Sequence, residues 1–269
     1  VIGFDLAEKG LRSLAEAGGE TATSIAEAVS GVDVVITMLP DWPQVEAVTF
    51  GPEGVLENVK PGVLVIDMST IRPETSRRIA EAGGTRGVRV LDAPVSGGEK
   101  GAVDGVLSIM VGGSADDFES AKPLFEVMGK TVVHVGPHGA GQTVKAANQL
   151  VVGGTYALVA EAIVLLEASG VDAGTGLDVL AGGLAASRIL DLKRKTMVAR
   201  EFAPGFRIDL HHKDMGIVLS AAREAEVALP TAALVAQLIS AARQQGYGSL
   251  DHSALLKVIE NISGRKASL

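Results

Sequence analysis

The chain contains no cysteine, which excludes disulfides, thiolate nucleophiles and cysteine-based zinc sites together. Aromatic residues are scarce, at 3%, so a core must be filled by Val, Leu, Ile and Ala. That composition suits helix-flanked parallel strands better than an antiparallel sandwich. Positive charge is also in short supply: 24 Lys and Arg stand against 32 Asp and Glu, for a net charge of −8. The densest basic run, LKRKTMVAR, alternates with apolar residues, so no nucleic-acid partner is expected. No unbroken apolar run approaches the ~18 residues that span a bilayer, and no basic stretch precedes an apolar one at the start. The expectation is a soluble cytoplasmic protein with no membrane partner. What the chain does have is 47% hydrophobic residues over 269 positions, enough for one large or two moderate folded domains and not suited to disorder.

Residues 1 to 137 alternate short β-rich runs with helical stretches. VIGFD, VDVVITMLP, VLVIDMST, VRVLDAPVS, LSIMVGG and TVVHVG read as strands, and the segments between them, such as PETSRRIAEAGG and ADDFESAKPLFEVMG, as helices. Strand–helix alternation with continuous apolar strands predicts a Rossmann-like, doubly wound parallel sheet. From 138 to 269 the periodicity is helical throughout. TVKAANQLVVGGTYALVAEAIVLLEASG reads as one helix of nearly thirty residues ended by Gly170, entering an all-α second domain. A dinucleotide-binding sheet opens with a strand and G-x-G-x-x-G before the strand that ends in an acid. Here the chain opens on what reads as that second strand, ending at Asp5, and GPHGAG has the wrong spacing to substitute. One further strand–turn–helix unit of roughly 25 to 30 residues is therefore expected before Val1.

Several stretches carry candidate chemistry. Lys145 is a lone ammonium near the start of an apolar helix, and a helical period places Asn148 and Gln149 beside it. Burial lowers the pKa of a lysine, which fits proton transfer near neutral pH; a snorkelling side chain at the helix start is the alternative. Ser96-Gly97-Gly98 follows a strand, and two glycines free backbone N–H groups to face an anion such as a carboxylate, or else simply make a tight turn. Asp5 can grip a ribose hydroxyl or cap the next helix. Met38, Leu39, Pro40 and Thr70 fall at strand carboxyl ends, where ligands of doubly wound sheets sit; Thr70 can also cap the helix beginning near Pro73. In HHKDM, adjacent histidines cannot share a metal from one helix side, so no metal is expected. Lys213 and Asp214 are either cofactor-facing or part of a solvated turn. Asp251-His252-Ser253 cannot form a triad from consecutive positions, and Asp251 reads as a helix cap.

Taken together, DAPVSGGEKGA, GAGQTVKAANQ and HHKDM, in that order and spacing, resemble the motifs of the β-hydroxyacid dehydrogenase family, and the resemblance covers nearly the whole chain. It implies a second domain of the 6-phosphogluconate dehydrogenase C-terminal type, an NAD cofactor (NADP being the variant) and a small 3-hydroxy acid or semialdehyde as substrate. It further implies Lys145 as general acid, Asn148 ordering substrate and lysine, and Ser96, Gly97, Gly98 and Gln149 on the substrate. Asp5, Met38, Leu39, Pro40, Thr70, Lys213 and Asp214 would lie along the cofactor. KAANQ, GGLAASRILD and FAPGFRIDLHHKDM are most similar to the branch that reduces tartronate semialdehyde, with 3-hydroxyisobutyrate as the alternative substrate. A homodimer or homotetramer is also implied.

Overall fold

Strands and helices alternate through the first half of the chain: β1 (Ile2–Gly3), α1 (Glu8–Glu16), β2 (Glu20–Thr21), α2 (Ile25–Ala28), β3 (Val34–Thr37), α3 (Trp42–Phe50), α4 (Val55–Asn58), β4 (Leu64–Asp67) and α5 (Pro73–Thr85). There follow β5 (Arg89–Asp92), β6 (Val95–Ser96), α6 (Gly98–Val103), β7 (Leu107–Gly112), α7 (Ala115–Met128) and β8 (Gly129–Gly136). The structure, a computed structural model, describes residues 1–265. Its first compact unit runs from Val1 to Lys145 and its second begins at Ala146.

In the first unit β3, β4 and β5 are parallel and in register, so that Thr37, Asp67 and Asp92 lie side by side at the strands' carboxyl ends. All four residues of β4 are buried, and their alternation serves two cores. Leu64 and Ile66 pack with Phe118, Ala121 and Phe125 of α7 on one face. Val63 and Val65 pack with Val55, Leu56 and Val88 on the other. Helices covering both faces are what turn a strand into a continuous apolar run.

VRVLDAPVS, expected as one strand, is two, because Pro94 cannot donate to a ladder. The short α6 then turns the chain straight back, so β7 runs antiparallel to β5 and β6. The longer crossover through α7 restores a parallel partner in β8. β1 and β2 form a separate two-stranded parallel sheet, and among the described residues one edge of β1 and the outer edge of β3 carry no partner strand.

Helix α8 (Ala140–Ala168) is 29 residues long. Averaged along its length, where unbroken runs fall short, it is apolar enough to cross a membrane. One apolar face of it is buried: Tyr156, Ala157, Ala160, Ile163 and Val164 lie in the core of the second unit, the i, i+3, i+4 pattern of a core helix. That core also takes Leu177 of α9 (Ala173–Ala181), Leu190 and Met197 of α10 (Arg188–Val198), and Met215 and Val218 of α11 (Ile208–Glu224). Val235 and Ile239 of α12 (Pro230–Ala242) and Leu255, Leu256, Val258 and Ile259 of α13 (Leu255–Ile262) join it. Arg200 cross-links the unit, donating to Glu167 at 2.9 Å and Glu260 at 2.6 Å.

One polar knot lies inside this helical core. Asp251 is fully buried and accepts from Lys193 at 2.9 Å, from the hydroxyl of Ser253 at 2.7 Å and from the amide of Gly205 at 2.9 Å. Burial works against its charge, but the bonds from Ser253 and Lys193 hold its carboxyl down at about 2. The neighbouring His252 rings with His211, Nδ1 to Nδ1 at 3.0 Å, and lies against Tyr156 with centroids 3.9 Å apart. Desolvation first, then His211, push His252 down to about 3 from 6.5. An unfolded chain thus takes up a proton at His252 near pH 6.5, whereas the folded chain resists until about pH 3. This contribution to stability is complete above pH 6.5 and is lost progressively as the pH falls toward 3. The expected slope is at most about 1.4 kcal/mol per pH unit. Urea unfolding at pH 7 and pH 5 should show a larger loss for the parent than for His252→Gln; equal losses would contradict this assignment.

Candidate functional site

The first turn of α8 is fastened to the sheet by two buried side chains. Asp92, at the end of β5, accepts from the Gly139 amide at 2.7 Å and from the Gln142 amide at 3.0 Å, so one carboxylate satisfies two backbone donors at the helix start. Burial raises the Asp92 pKa, and those two amide bonds pull it back. The fit is tight: a Cβ on Gly141 would meet Met110 O at 2.4 Å and Asp92 O at 2.7 Å, so only glycine lets helix and sheet approach this closely. Gln142 is fully buried; its amide donates to Ser69 O at 2.8 Å and accepts from the Ile71 amide at 3.0 Å. Ser69 in turn accepts from the Leu39 amide at 2.8 Å. The loops after β3 and β4 and the start of α8 therefore form one hydrogen-bonded piece.

Lys145 follows one turn later on α8. Its side chain is only 6% exposed, and Nζ donates to Val95 O at 2.7 Å. Val95 immediately precedes Ser96-Gly97-Gly98. Gly97 and Gly98 have φ of 141° and 65°, values that demand glycine, and a Cβ on Gly98 would meet nothing within 4 Å. The structure thus places the amine of a buried residue within hydrogen-bond distance of the strand that leads into an open, glycine-built turn.

Other candidates fall in two groups. Met38 (64% exposed) and Pro40 stand exposed after β3, beside the half-buried Leu39, and Thr70 is half-buried after β4. The N-cap of α5 falls on Arg72 rather than Thr70, with no side-chain cap bond. Asp5, after β1, is exposed and accepts from the Ala7 amide at 2.8 Å. In the second unit, Asn148 Nδ2 donates to Gln149 Oε1 at 2.8 Å, and Gln149 Nε2 donates to Asp214 Oδ2. Asp214 is buried and ion-paired to Lys213 at 2.9 Å. His211 Nε2 meets Gln149 O at 3.2 Å; Gly153 makes room, since a Cβ there would lie 3.1 Å from that nitrogen.

Sequence reasoning gave Asp92 and Gln142 no role, and weighed His211 only as a metal ligand. Asp92 sits inside the DAPVSGG stretch and Gln142 inside GAGQTVK, so the signal available was a polar residue within an otherwise apolar or glycine-rich motif.

Asp5, Met38 to Pro40 and Thr70 follow the carboxyl ends of β1, β3 and β4, the end of a doubly wound sheet where dinucleotides and other ligands bind. The exposed Asp5 carboxylate suits ribose hydroxyls, and the exposed apolar Met38 with the Leu39–Pro40 turn suits a flat ring; these residues fit the two ends of NAD(P), while no G-x-G-x-x-G for its pyrophosphate is present in the sequence. Residues 1–136 match the NAD binding domain of 6-phosphogluconate dehydrogenase. Residues 139–259 match the NAD-binding domain of NADP-dependent 3-hydroxyisobutyrate dehydrogenase. The 2-hydroxy-3-oxopropionate reductase of Escherichia coli is 42% identical, over 95% of this chain and 87% of that protein. The 2-(hydroxymethyl)glutarate dehydrogenase of Eubacterium barkeri is 37% identical, over 100% and 89%. Among solved structures, the 3-hydroxyisobutyrate dehydrogenase of Mycobacterium tuberculosis with L-serine superposes with a TM-score of 0.86 at 32% identity, over 96% of this chain and 90% of that one. The chain belongs to the β-hydroxyacid dehydrogenase family, NAD(P)-dependent oxidoreductases acting on the CH–OH group.

If Asp92 is the clamp at the start of α8, Asp92→Ala strands two buried amides. The expected loss is about 2–3 kcal/mol, with Asp92→Asn milder because one acceptor survives. Urea unfolding measures it, and a loss below about 0.5 kcal/mol would show that the helix start is held by something else.

Proposed function

We propose that the chain is an NAD-dependent reductase converting tartronate semialdehyde to D-glycerate. The observation that carries this reading is the buried Lys145 nitrogen at 2.7 Å from Val95 O, one residue before the Ser96–Gly98 turn. An acid and a carboxylate-binding turn held this close suit a substrate only a few atoms long.

The roles follow from chemistry. Ser96 and the amides of Gly97 and Gly98 bind the substrate carboxylate, a backbone nest with an added hydroxyl. Remote binding of the carboxylate sets the aldehyde in place, and positioning of this kind contributes strongly to rate. Bound NADH supplies the hydride to the aldehyde carbon. As that carbon is reduced, the carbonyl oxygen gains negative charge, and Lys145 stabilises it and transfers a proton to it, leaving a primary alcohol. Asn148, one turn along α8 from Lys145, orders the substrate and the amine, with Gln149 beside it. Asp5, Met38, Leu39, Pro40, Thr70 and Lys213 hold the dinucleotide, Asp5 at the adenine ribose. Leu6 rather than a basic residue follows Asp5, which favours NAD over NADP.

The E. coli relative supports tartronate semialdehyde as substrate; the solved dehydrogenase supports 3-hydroxyisobutyrate as the second reading. We also propose a homodimer or homotetramer. On α8, Val151, Leu158 and Leu165 recur every seventh residue and remain more than half exposed, an apolar stripe suited to a second copy of the chain.

Lys145→Ala should lower turnover by about 10²–10⁴-fold while dinucleotide affinity, read by NADH fluorescence, stays within about twofold. Turnover within about tenfold of the parent would reject the lysine as acid. Steady-state assays should rank kcat/KM for tartronate semialdehyde with NADH above NADPH, and glycerate above 3-hydroxyisobutyrate and L-serine in the reverse direction. A preference for 3-hydroxyisobutyrate or for NADPH would overturn the substrate or the cofactor assignment respectively.

A further inference from the structure

Within the second unit, polar side chains run in an unbroken line from Asn148 through Gln149 and Asp214 to Lys213. The ends of the line differ from its middle. Asn148 and Lys213 are partly exposed, whereas Gln149 is 4% and Asp214 1% exposed. Both ends of the Gln149 amide are engaged, Oε1 by Asn148 and Nε2 by Asp214. An amide so occupied cannot also turn to a substrate without giving up a buried bond. Asp214 has one oxygen on Gln149 and the other on Lys213.

The backbone is fixed as well. His211, three residues before Asp214 on α11, meets the carbonyl of Gln149 through Nε2 at 3.2 Å. A carbonyl only accepts, so His211 carries a proton on Nε2, and in its neutral form Nδ1 accepts the hydrogen bond from His252 Nδ1–H. One turn of α11 therefore grips Gln149 at both its main chain and its side chain.

We infer that Asp214 is a positioning residue that sets two ligand-facing groups at once: Lys213 directly, through the ion pair, and Asn148 through Gln149. The inference rests on the reading above, in which Lys213 faces the dinucleotide and Asn148 the substrate. It reassigns Gln149 and Asp214 from ligand contact to support. A buried carboxylate shared in this way ties the two binding events to one anchor, and substitutions should divide them.

Four proteins test this, with NADH binding by fluorescence titration and kcat and KM for the hydroxy acid measured separately. Asp214→Asn keeps an acceptor for Gln149 but removes the negative partner of Lys213; NADH should bind about tenfold more weakly, with the substrate KM within about threefold. Gln149→Met leaves the ion pair and frees Asn148; NADH affinity should stay within about twofold, while kcat/KM falls about tenfold or more. Lys213→Met should reproduce the NADH defect, and Lys213→Met with Asp214→Asn should add little to either alone. NADH binding unchanged in Asp214→Asn but weakened in Lys213→Met overturns the positioning role and leaves Lys213 as a cofactor residue. NADH binding unchanged in Lys213→Met instead overturns the underlying reading of that lysine. Should Asp214→Asn fail to fold, shown by loss of its thermal transition, Gln149→Met carries the test alone: an unchanged kcat/KM overturns the relay.

Discussion

The site depends on one carboxylate. Asp92 closes β5 and, with its two oxygens, receives the amides of Gly139 and Gln142 at the start of α8. Everything placed near Lys145 inherits its position from that contact, because the lysine lies one turn further along a rigid helix. The burial that raises the Asp92 pKa also removes the water that would otherwise compete for the two amides. Gln142 adds the second fastening, and through Ser69 it includes the loop after β3 in the same piece. A helix start anchored on two strand ends fixes the backbone from which Lys145 projects, and the bond from Nζ to Val95 O fixes the side chain.

Much of this was legible from the residues. The strands announced themselves by continuous apolar runs, and the long helix by its period and by the glycine that ends it; Gly170 adopts φ of 74°. Ser96–Gly98 was legible as a glycine-built turn because paired glycines after a strand have few other uses. What the sequence hid were pairings across distance. Gln142 meets Ile71 across 71 positions, and Asp92 meets Gln142 across 50; no local period encodes such partners. The antiparallel return of β7 was hidden for a related reason, since Pro94 splits one apolar run into two strands without changing its composition. The short elements β2, α2, α4 and α6 carry too few residues to show a period at all.

The HHKDM segment shows the same limit from the other side. Read locally, adjacent histidines beside a Lys-Asp pair look like a solvated first turn. In the structure the four residues divide by helical face. His211 and Asp214 turn inward and are buried, while His212 and Lys213 are partly exposed. The buried pair is three residues apart, the spacing that places side chains over one another on a helix.

That division also bears on why charge is buried here at all. A buried ion pair is weak evidence for stability, since desolvating both partners offsets much of their attraction. Apolar residues of similar volume at 213 and 214 would hold α11 against α8 at no such cost, as Met215 and Val218 already do in the core around them. Retaining Asp214 is therefore better explained by direction than by strength. A carboxylate fixes the orientation of the amide that bonds to it and draws the ammonium close as an ion pair, and an apolar contact does neither. The knot around Asp251 and His252 follows the same logic one layer deeper. There, Lys193, Ser253 and the Gly205 amide satisfy the acid. The desolvated His252 then remains a neutral donor to His211. That donor fits the tautomer with which His211 meets the Gln149 main-chain carbonyl, while Asp214 holds the Gln149 side-chain amide to which Asn148 donates.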